Sequence, residues 1–157
     1  MKKIKLVATD IDGVWTDAKM HYTKNGDFIK SFSTYDGMAV EILRKRKVKV
    51  VIITSENSEI VLRRAEKLNI KNVFINEKNK LKRINKVCDD LKISLDEVAY
   101  IGDDLNDEKI LKAVGISALT NNSPIKNIVQ VDYITNRNGG DGAFREFIDM
   151  LIKKNKC

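Results

Sequence analysis

The strongest constraint on this chain is an alternation of two patterns. Short runs rich in β-branched residues are each followed by a longer segment of helical periodicity. Strands are predicted at Ile4–Thr9, Val48–Thr54, Asn72–Ile75, Val98–Gly102, Gly115–Leu119 and Val131–Ile134. Helices are predicted between and after them, at Gly37–Lys47, Ser58–Leu68, Lys78–Leu91, Asp107–Val114, Pro124–Val129 and Gly142–Lys154. Ile60, Val61, Ala65 and Leu68 share one helical face, as do Ile84, Val87, Cys88 and Leu91, and Phe144, Phe147, Ile148 and Leu151. Asn57 and Ser58 are candidate caps for the second helix, and Asp96 a candidate turn residue before the fourth strand. Such alternation predicts an α/β, doubly wound (Rossmann-like) parallel sheet with helices on both faces. A sheet of that kind binds its ligand at the carboxyl ends of the strands.

One segment breaks the pattern. Residues 14–33 alternate polar and apolar around Asn25-Gly26, a dipeptide favoured in hairpin turns, so a hairpin is expected after the first strand. The length of 157 residues predicts one domain, 1–157, with a largely aliphatic core, because hydrophobic residues make up 43% and aromatic ones only 6%. No apolar run reaches the roughly 20 residues of a membrane span. The basic and then apolar N-terminus runs into acids too soon for a signal peptide. Cys88 and Cys157 match no metal or redox spacing, which suits a reducing cytoplasm.

The net charge of +7 would suit an anionic partner. Lys outnumbers Arg by 22 to 7, however, and Arg is the residue that reads phosphate backbones and bases. With no aromatic-plus-basic stripe either, no nucleic-acid partner is expected.

Four polar clusters fall at predicted strand ends. Asp10-Ile11-Asp12-Gly13 offers a carboxylate able to attack phosphorus, and a second one to move protons. Its plain alternative is an acidic turn. Thr54-Ser55 can donate to phosphate oxygens, or simply cap the next helix. Lys80 could neutralise a nucleophile and a phosphoryl group; Lys78 and Lys82 stand beside it as rivals. The run Gly102–Asp107 (GDDLND) offers Asp103 to a hard cation such as Mg²⁺, with Asp104 and Asp107 behind it. Two acidic clusters gathered at one edge are costly unless a cation compensates them. Nucleophile, proton donor, phosphate donors and metal clamp are the parts phosphoryl transfer needs.

The series DIDGVWTD, IITS, Lys80 and GDDLND resembles the four motifs of the haloacid dehalogenase-like superfamily over essentially the whole chain. The resemblance implies an enzyme with Asp10 as nucleophile and Asp12 as acid/base. It implies Mg²⁺ held by Asp10, Asp103 and the backbone carbonyl of Asp12, and a phosphoryl group bound by Thr54 and Lys80. About 40 residues separate the first two motifs, too few for a separate cap domain. The chain therefore looks like the capless branch that includes phosphatases of 3-deoxy-manno-octulosonate 8-phosphate. Thr34–Gly37 (TYDG) and Gly139–Glu146 (GGDGAFRE) add to that likeness.

Octulosonate phosphatases usually carry Gly-Arg after the motif-II threonine, whereas this chain has Ser55-Glu56. TSENSEIVLRRAEKL is similar to the phosphatases of nine-carbon acids such as 2-keto-3-deoxynononate 9-phosphate. That likeness implies Glu56 and Lys67 as substrate residues and a nonulosonate 9-phosphate as substrate, with octulosonate 8-phosphate as the alternative. Arg63, Arg64 and Arg145 are further candidates for a sugar carboxylate. The branch also implies a homotetramer in which hairpins form a barrel-like centre and neighbouring subunits cover each active site. His21, the only histidine, lies in the hairpin and is expected to pack in a subunit contact rather than to act as a catalyst. A phosphomutase fits less well without a cap, and a response-regulator-like acceptor fits the acid pair poorly. The non-enzyme rival is an oligomerisation module like those fused to sugar-nucleotide synthetases. Its motifs would be degenerate, and here all the acids are present.

Overall fold

A computed structural model describes residues 2–157. Six strands form one sheet: β1 (Leu6–Thr9), β4 (Lys49–Ile53), β5 (Asn72–Phe74), β6 (Val98–Gly102), β7 (Ile116–Leu119) and β8 (Tyr133–Ile134). Their order is β5-β4-β1-β6-β7-β8, and every pairing is parallel. β2 (His21–Thr23) and β3 (Gly26–Ile29) form a separate antiparallel hairpin. The helices are α1 (Thr34–Lys45), α2 (Glu59–Lys67), α3 (Lys80–Leu91), α4 (Glu108–Leu111) and α5 (Ala143–Lys153). None of them is long and apolar enough to cross a membrane among the described residues.

Successive strand residues face opposite ways, so a strand buried on both faces feeds two cores. Leu6 and Ala8 of β1 join Val51, Ile53, Tyr100, Ile84 and Ile110 beneath α3 and α4. Val7 joins Ile52, Ile101, Leu43, Val61 and Phe147 beneath α1, α2 and α5. This is the doubly wound architecture expected from the alternation. Capping sets two helix starts. Ser33 accepts from the Tyr35 amide at α1, and Asn79 accepts from the Lys82 amide at α3.

Three expectations are corrected. Residues 124–129 form turns rather than a helix; the Lys126 amide bonds back to the Ser123 carbonyl, and the Ile128 and Val129 amides both bond back to Ile125. Six residues that begin with a proline give too few bonds to offset helix nucleation. The helix expected from Asp107 to Val114 shrinks to α4, preceded by a 3₁₀ turn at Leu105–Asp107 that Asp104 caps. The hairpin occupies only residues 21–29 of the segment 14–33. Val14, Trp15 and Thr16 are instead buried in the loop after β1. The turn residues are Lys24 and Asn25, and Gly26 opens β3 at φ +112°, a conformation that favours glycine.

Register places the clusters. Thr9 of β1 pairs with Ile52 on one side and Ile101 on the other. Asp10 follows Thr9 by one residue, Thr54 follows Ile52 by two, and Asp103 follows Ile101 by two. Parallel pairing therefore brings all three to one edge of the sheet.

Candidate active site

Asp10 lies at the carboxyl end of the central strand, 3% exposed. One of its oxygens accepts from the Ile11 amide at 2.7 Å, and the other lies 2.6 Å from the Lys80 ammonium. Lys80 reaches Asp107 at the same distance and is itself buried. The expectation among three neighbouring lysines is thus resolved geometrically: Lys78 bonds the Ser55 carbonyl and is exposed, and Lys82 is exposed on α3.

Asp107 uses both oxygens. One accepts from Lys80 and from the Tyr100 hydroxyl, each at 2.6 Å; the other accepts from the Asp103 amide at 2.9 Å. It thereby fixes Lys80 and the loop that carries Asp103. Ser123 holds that loop from behind by donating to the Asp103 carbonyl at 2.5 Å. Gly13, at φ +87°, lets the first loop close over it; a Cβ there would stand 1.8 Å from Asp103 Oδ2.

Carboxylate oxygens of Asp10, Asp103 and Asp107 all lie within 4.8 Å of one another. Burial, and next the charge of Asp107, push the Asp10 carboxyl up to about 7. Burial, and next the charge of Asp10, push Asp103 up to about 8. Burial works against the Lys80 ammonium, but Asp10 and Asp107 outweigh it and hold its pKa above the usual lysine value. One ammonium among three carboxyls, two buried and one partly buried, leaves negative charge uncompensated. That surplus, made wholly of hard oxygen donors, fits a divalent cation such as Mg²⁺.

Protons and metal should compete for these carboxyls. With folded pKa values above the unfolded value near 4, the metal-free protein binds more protons than its unfolded chain up to about pH 8. Its stability therefore falls as pH rises through that window. Cation binding reverses the penalty, so the rise in melting temperature at fixed Mg²⁺ should be larger at pH 8.5 than at pH 6. Calorimetric scans check this, and a rise that is larger at pH 6 would contradict the cluster as a metal site.

A cleft of about 420 Å³ opens over the cluster. Asp10, Asp12, Thr54, Ser55, Glu56, Asp103 and Asp104 line it, with Ala18, Met20, Leu105 and Asn106. Residues 26–115 match the haloacid dehalogenase-like hydrolases. The chain belongs to that family.

Over 153 residues, 98% of this hydrolase and 85% of the relative, it is 35% identical to the 3-deoxy-D-manno-octulosonate 8-phosphate phosphatase of Haemophilus influenzae. The Escherichia coli K12 phosphatase of the same name is 32% identical over 96% of this chain and 80% of its own. The cobalt-bound Haemophilus structure superposes with a TM-score of 0.92, at 36% identity, over 96% of this chain and 88% of that one. A Moraxella catarrhalis phosphatase, solved with magnesium, phosphate and KDO, gives 0.90 at 35% identity over 96% and 86%. This hydrolase is accordingly a phosphatase of the octulosonate-phosphatase type. Only the hairpin and α1 separate β1 from β4, so it has no cap domain. The relatives just named are octulosonate phosphatases, so they do not support a closer likeness to the nonulosonate branch.

Some expected site residues have other employment in this hydrolase. Ser55 donates to the Glu77 carbonyl and accepts from Asn106, bridging two loops. The Asp104 carboxylate accepts from the Leu105 amide. Lys67, Arg63, Arg64 and Arg145 do not line the cleft. Lys67 is exposed at the end of α2. Arg63 pairs with Glu66, and Arg145 with Asp149 on α5. Arg64 donates to the Ser33 carbonyl and covers Phe32. The tail motif acts through its backbone instead. The Gly140 amide bonds the Val14 carbonyl, and the Arg145 amide bonds buried Asp36. A Cβ at Gly139 would meet the Gly13 carbonyl at 1.9 Å, so the tail clasps the loop after β1.

Sequence reading missed Tyr100, Lys30, Ser123 and the clamp in which Trp15 donates to Thr9 at 3.0 Å. Tyr100 had one signal, a hydroxyl in an otherwise apolar buried strand. Lys30 and Ser123 had none, because their partners are distant in sequence.

Proposed function

We propose that this phosphatase hydrolyses the phosphomonoester of a 3-deoxy-2-keto sugar acid, with octulosonate 8-phosphate as its substrate and Mg²⁺ as its cofactor. The observation that carries the reading is the cleft that gathers Asp10, Asp12 and Asp103 over buried Lys80. Asp10 attacks phosphorus as the bond to the sugar oxygen breaks, and Asp12 gives that oxygen its proton. Asp12 then takes a proton from the water that cleaves the aspartyl phosphate. Asp10, Asp103 and the Asp12 backbone carbonyl would hold Mg²⁺, which would supply positive charge that lets a carboxylate approach an anionic phosphate. Thr54 and Lys80 bind the phosphoryl oxygens, with Ser55 beside them, and Asp104 and Asp107 stand outside the metal's direct ligands. One domain, residues 1–157, carries this chemistry.

A second reading, nonulosonate 9-phosphate, rests on Glu56, which lines the cleft where octulosonate phosphatases usually place an arginine. A glutamate there favours hydroxyls, whereas an arginine favours a carboxylate. Measuring kcat/KM on both sugar phosphates decides between them; a preference of tenfold or more for the nonulosonate, about 1.4 kcal/mol, would overturn the first. Glu56→Arg should raise the octulosonate to nonulosonate ratio under either reading.

A homotetramer is supported by the hairpin, whose Tyr22, Phe28 and Ile29 are 63%, 69% and 48% exposed in the single chain. His21 lies on the same exposed strand. In that assembly Lys67, Arg63, Arg64 and Arg145 would serve a neighbouring cleft. Sedimentation at the mass of one chain would remove the tetramer and the cross-subunit role together.

A further inference from the structure

The hairpin brings one more charge to the cleft. Lys30 directly follows β3, and its side chain is 2% exposed. Its ammonium stands 2.5 Å from Asp12 Oδ1, 3.5 Å from the Met20 sulfur and 3.9 Å from Asp27 Oδ2. A thioether accepts weakly and 3.9 Å is beyond hydrogen-bond range, so Asp12 Oδ1, which can accept whether or not Oδ2 carries a proton, is the main hydrogen-bond partner of this buried ammonium, and Asp27 adds negative charge nearby. The other oxygen of Asp12, Oδ2, is buried and accepts no hydrogen bond from the protein. One carboxyl group thus has two unequal oxygens, one tied to Lys30 and one free beside the cleft.

The geometry points to Lys30 as the positioning residue for Asp12: by engaging Oδ1, it holds Oδ2 toward the oxygen that leaves phosphorus. The inference rests on the reading of Asp12 as proton donor. In the first step the Asp12 O–H bond breaks and its proton joins the leaving oxygen. The phosphorus–oxygen bond breaks with it, and phosphorus bonds Asp10. Geometry governs such a transfer before acidity does. A carboxyl free to rotate would present the wrong oxygen for part of the time. Lys30 does not need to touch substrate for this. Its burial and its bond to Asp12 argue against direct phosphate binding.

The test uses leaving groups. An ester of an acidic phenol departs without help, whereas a poor leaving group needs the proton. We would measure kcat/KM of the full chain with Mg²⁺ on substituted phenyl phosphates, from p-nitrophenyl to unsubstituted phenyl, and on octulosonate 8-phosphate. In Lys30→Met the ratio of p-nitrophenyl to phenyl turnover should rise about tenfold or more, part of the 10²–10⁴-fold that proton transfer contributes. Lys30→Arg, which donates to the same oxygen, should return the ratio toward the parent value. An equal fall on every ester in Lys30→Met would mean that Lys30 only supports the fold, and would overturn the proposal. Should Lys30→Met fail to melt cooperatively, Lys30→Gln carries the same comparison, because its shorter side chain also releases Oδ1. Asp12→Asn separates the two ideas. If it keeps the parent's leaving-group dependence, the reading of Asp12 fails. If it steepens the dependence while the Lys30 variants do not, only the role of Lys30 fails.

Discussion

Asp10→Asn should abolish turnover while the protein still folds. The amide keeps an oxygen for the Ile11 amide, and Lys80 keeps Asp107. It cannot form the covalent bond to phosphorus. Loss of a nucleophile with the rest of the site in place costs on the order of 10⁴-fold or more in kcat. Stability should move little, and in the metal-free protein at pH 8 it should rise. The carboxyl that burial and Asp107 push up to about 7 is ionised there, and the substitution removes its repulsion with Asp107. Stabilisation by Mg²⁺ should weaken, because one of the three clustered carboxyls is gone. Steady-state assays and calorimetric melting with and without Mg²⁺ read all three effects. Substantial activity in this variant would overturn the covalent mechanism, whatever the substrate.

Lys80→Met should be the most damaging single change to stability. The side chain is 1% exposed, and its ammonium touches two carboxylates at 2.6 Å. Breaking one side of a buried ion pair typically costs about 3–5 kcal/mol, because the partner charge is left uncompensated. The cost should depend on pH. Near pH 8 Asp10 is ionised and Asp103 is at its midpoint, with values of about 7 and about 8, so removing Lys80 strands most charge there. At pH 6 both are mostly protonated, less charge is stranded, and the loss should shrink. Urea unfolding of the metal-free protein at the two pH values measures the difference. Turnover should fall by about 10²–10³-fold, the scale for removing one preorganised electrostatic partner. A loss below about 1 kcal/mol at both pH values, in the range of a surface pair, would mean that Lys80 does not hold the cluster together.

Much of this was legible because it is local. The alternation of β-branched runs and helical periods determined the doubly wound sheet, since each pattern can bury its apolar face only one way. Asp10-Ile11-Asp12-Gly13 and Gly102–Asp107 could be set at strand ends from the apolar runs before them, and parallel connectivity required those ends to face one side. Boundaries were less legible where the site itself drew residues out of regular structure. The Asp107 carboxylate engages the Lys80 ammonium, the Tyr100 hydroxyl and the Asp103 amide, and the helix expected to begin at Asp107 begins at Glu108 instead.

What the amino-acid order determined alone was the fold class, the four clusters and their sequence along the chain. What only the tertiary structure decided was which partner each polar group took. Lys80 rather than Lys78 met Asp10, Lys30 met Asp12 across 18 positions, and the glycine tail closed on Gly13. Propensity and periodicity act over a few neighbouring residues. The pairing of buried charges is instead chosen by distance in the folded interior, where an unpaired one is too costly to leave.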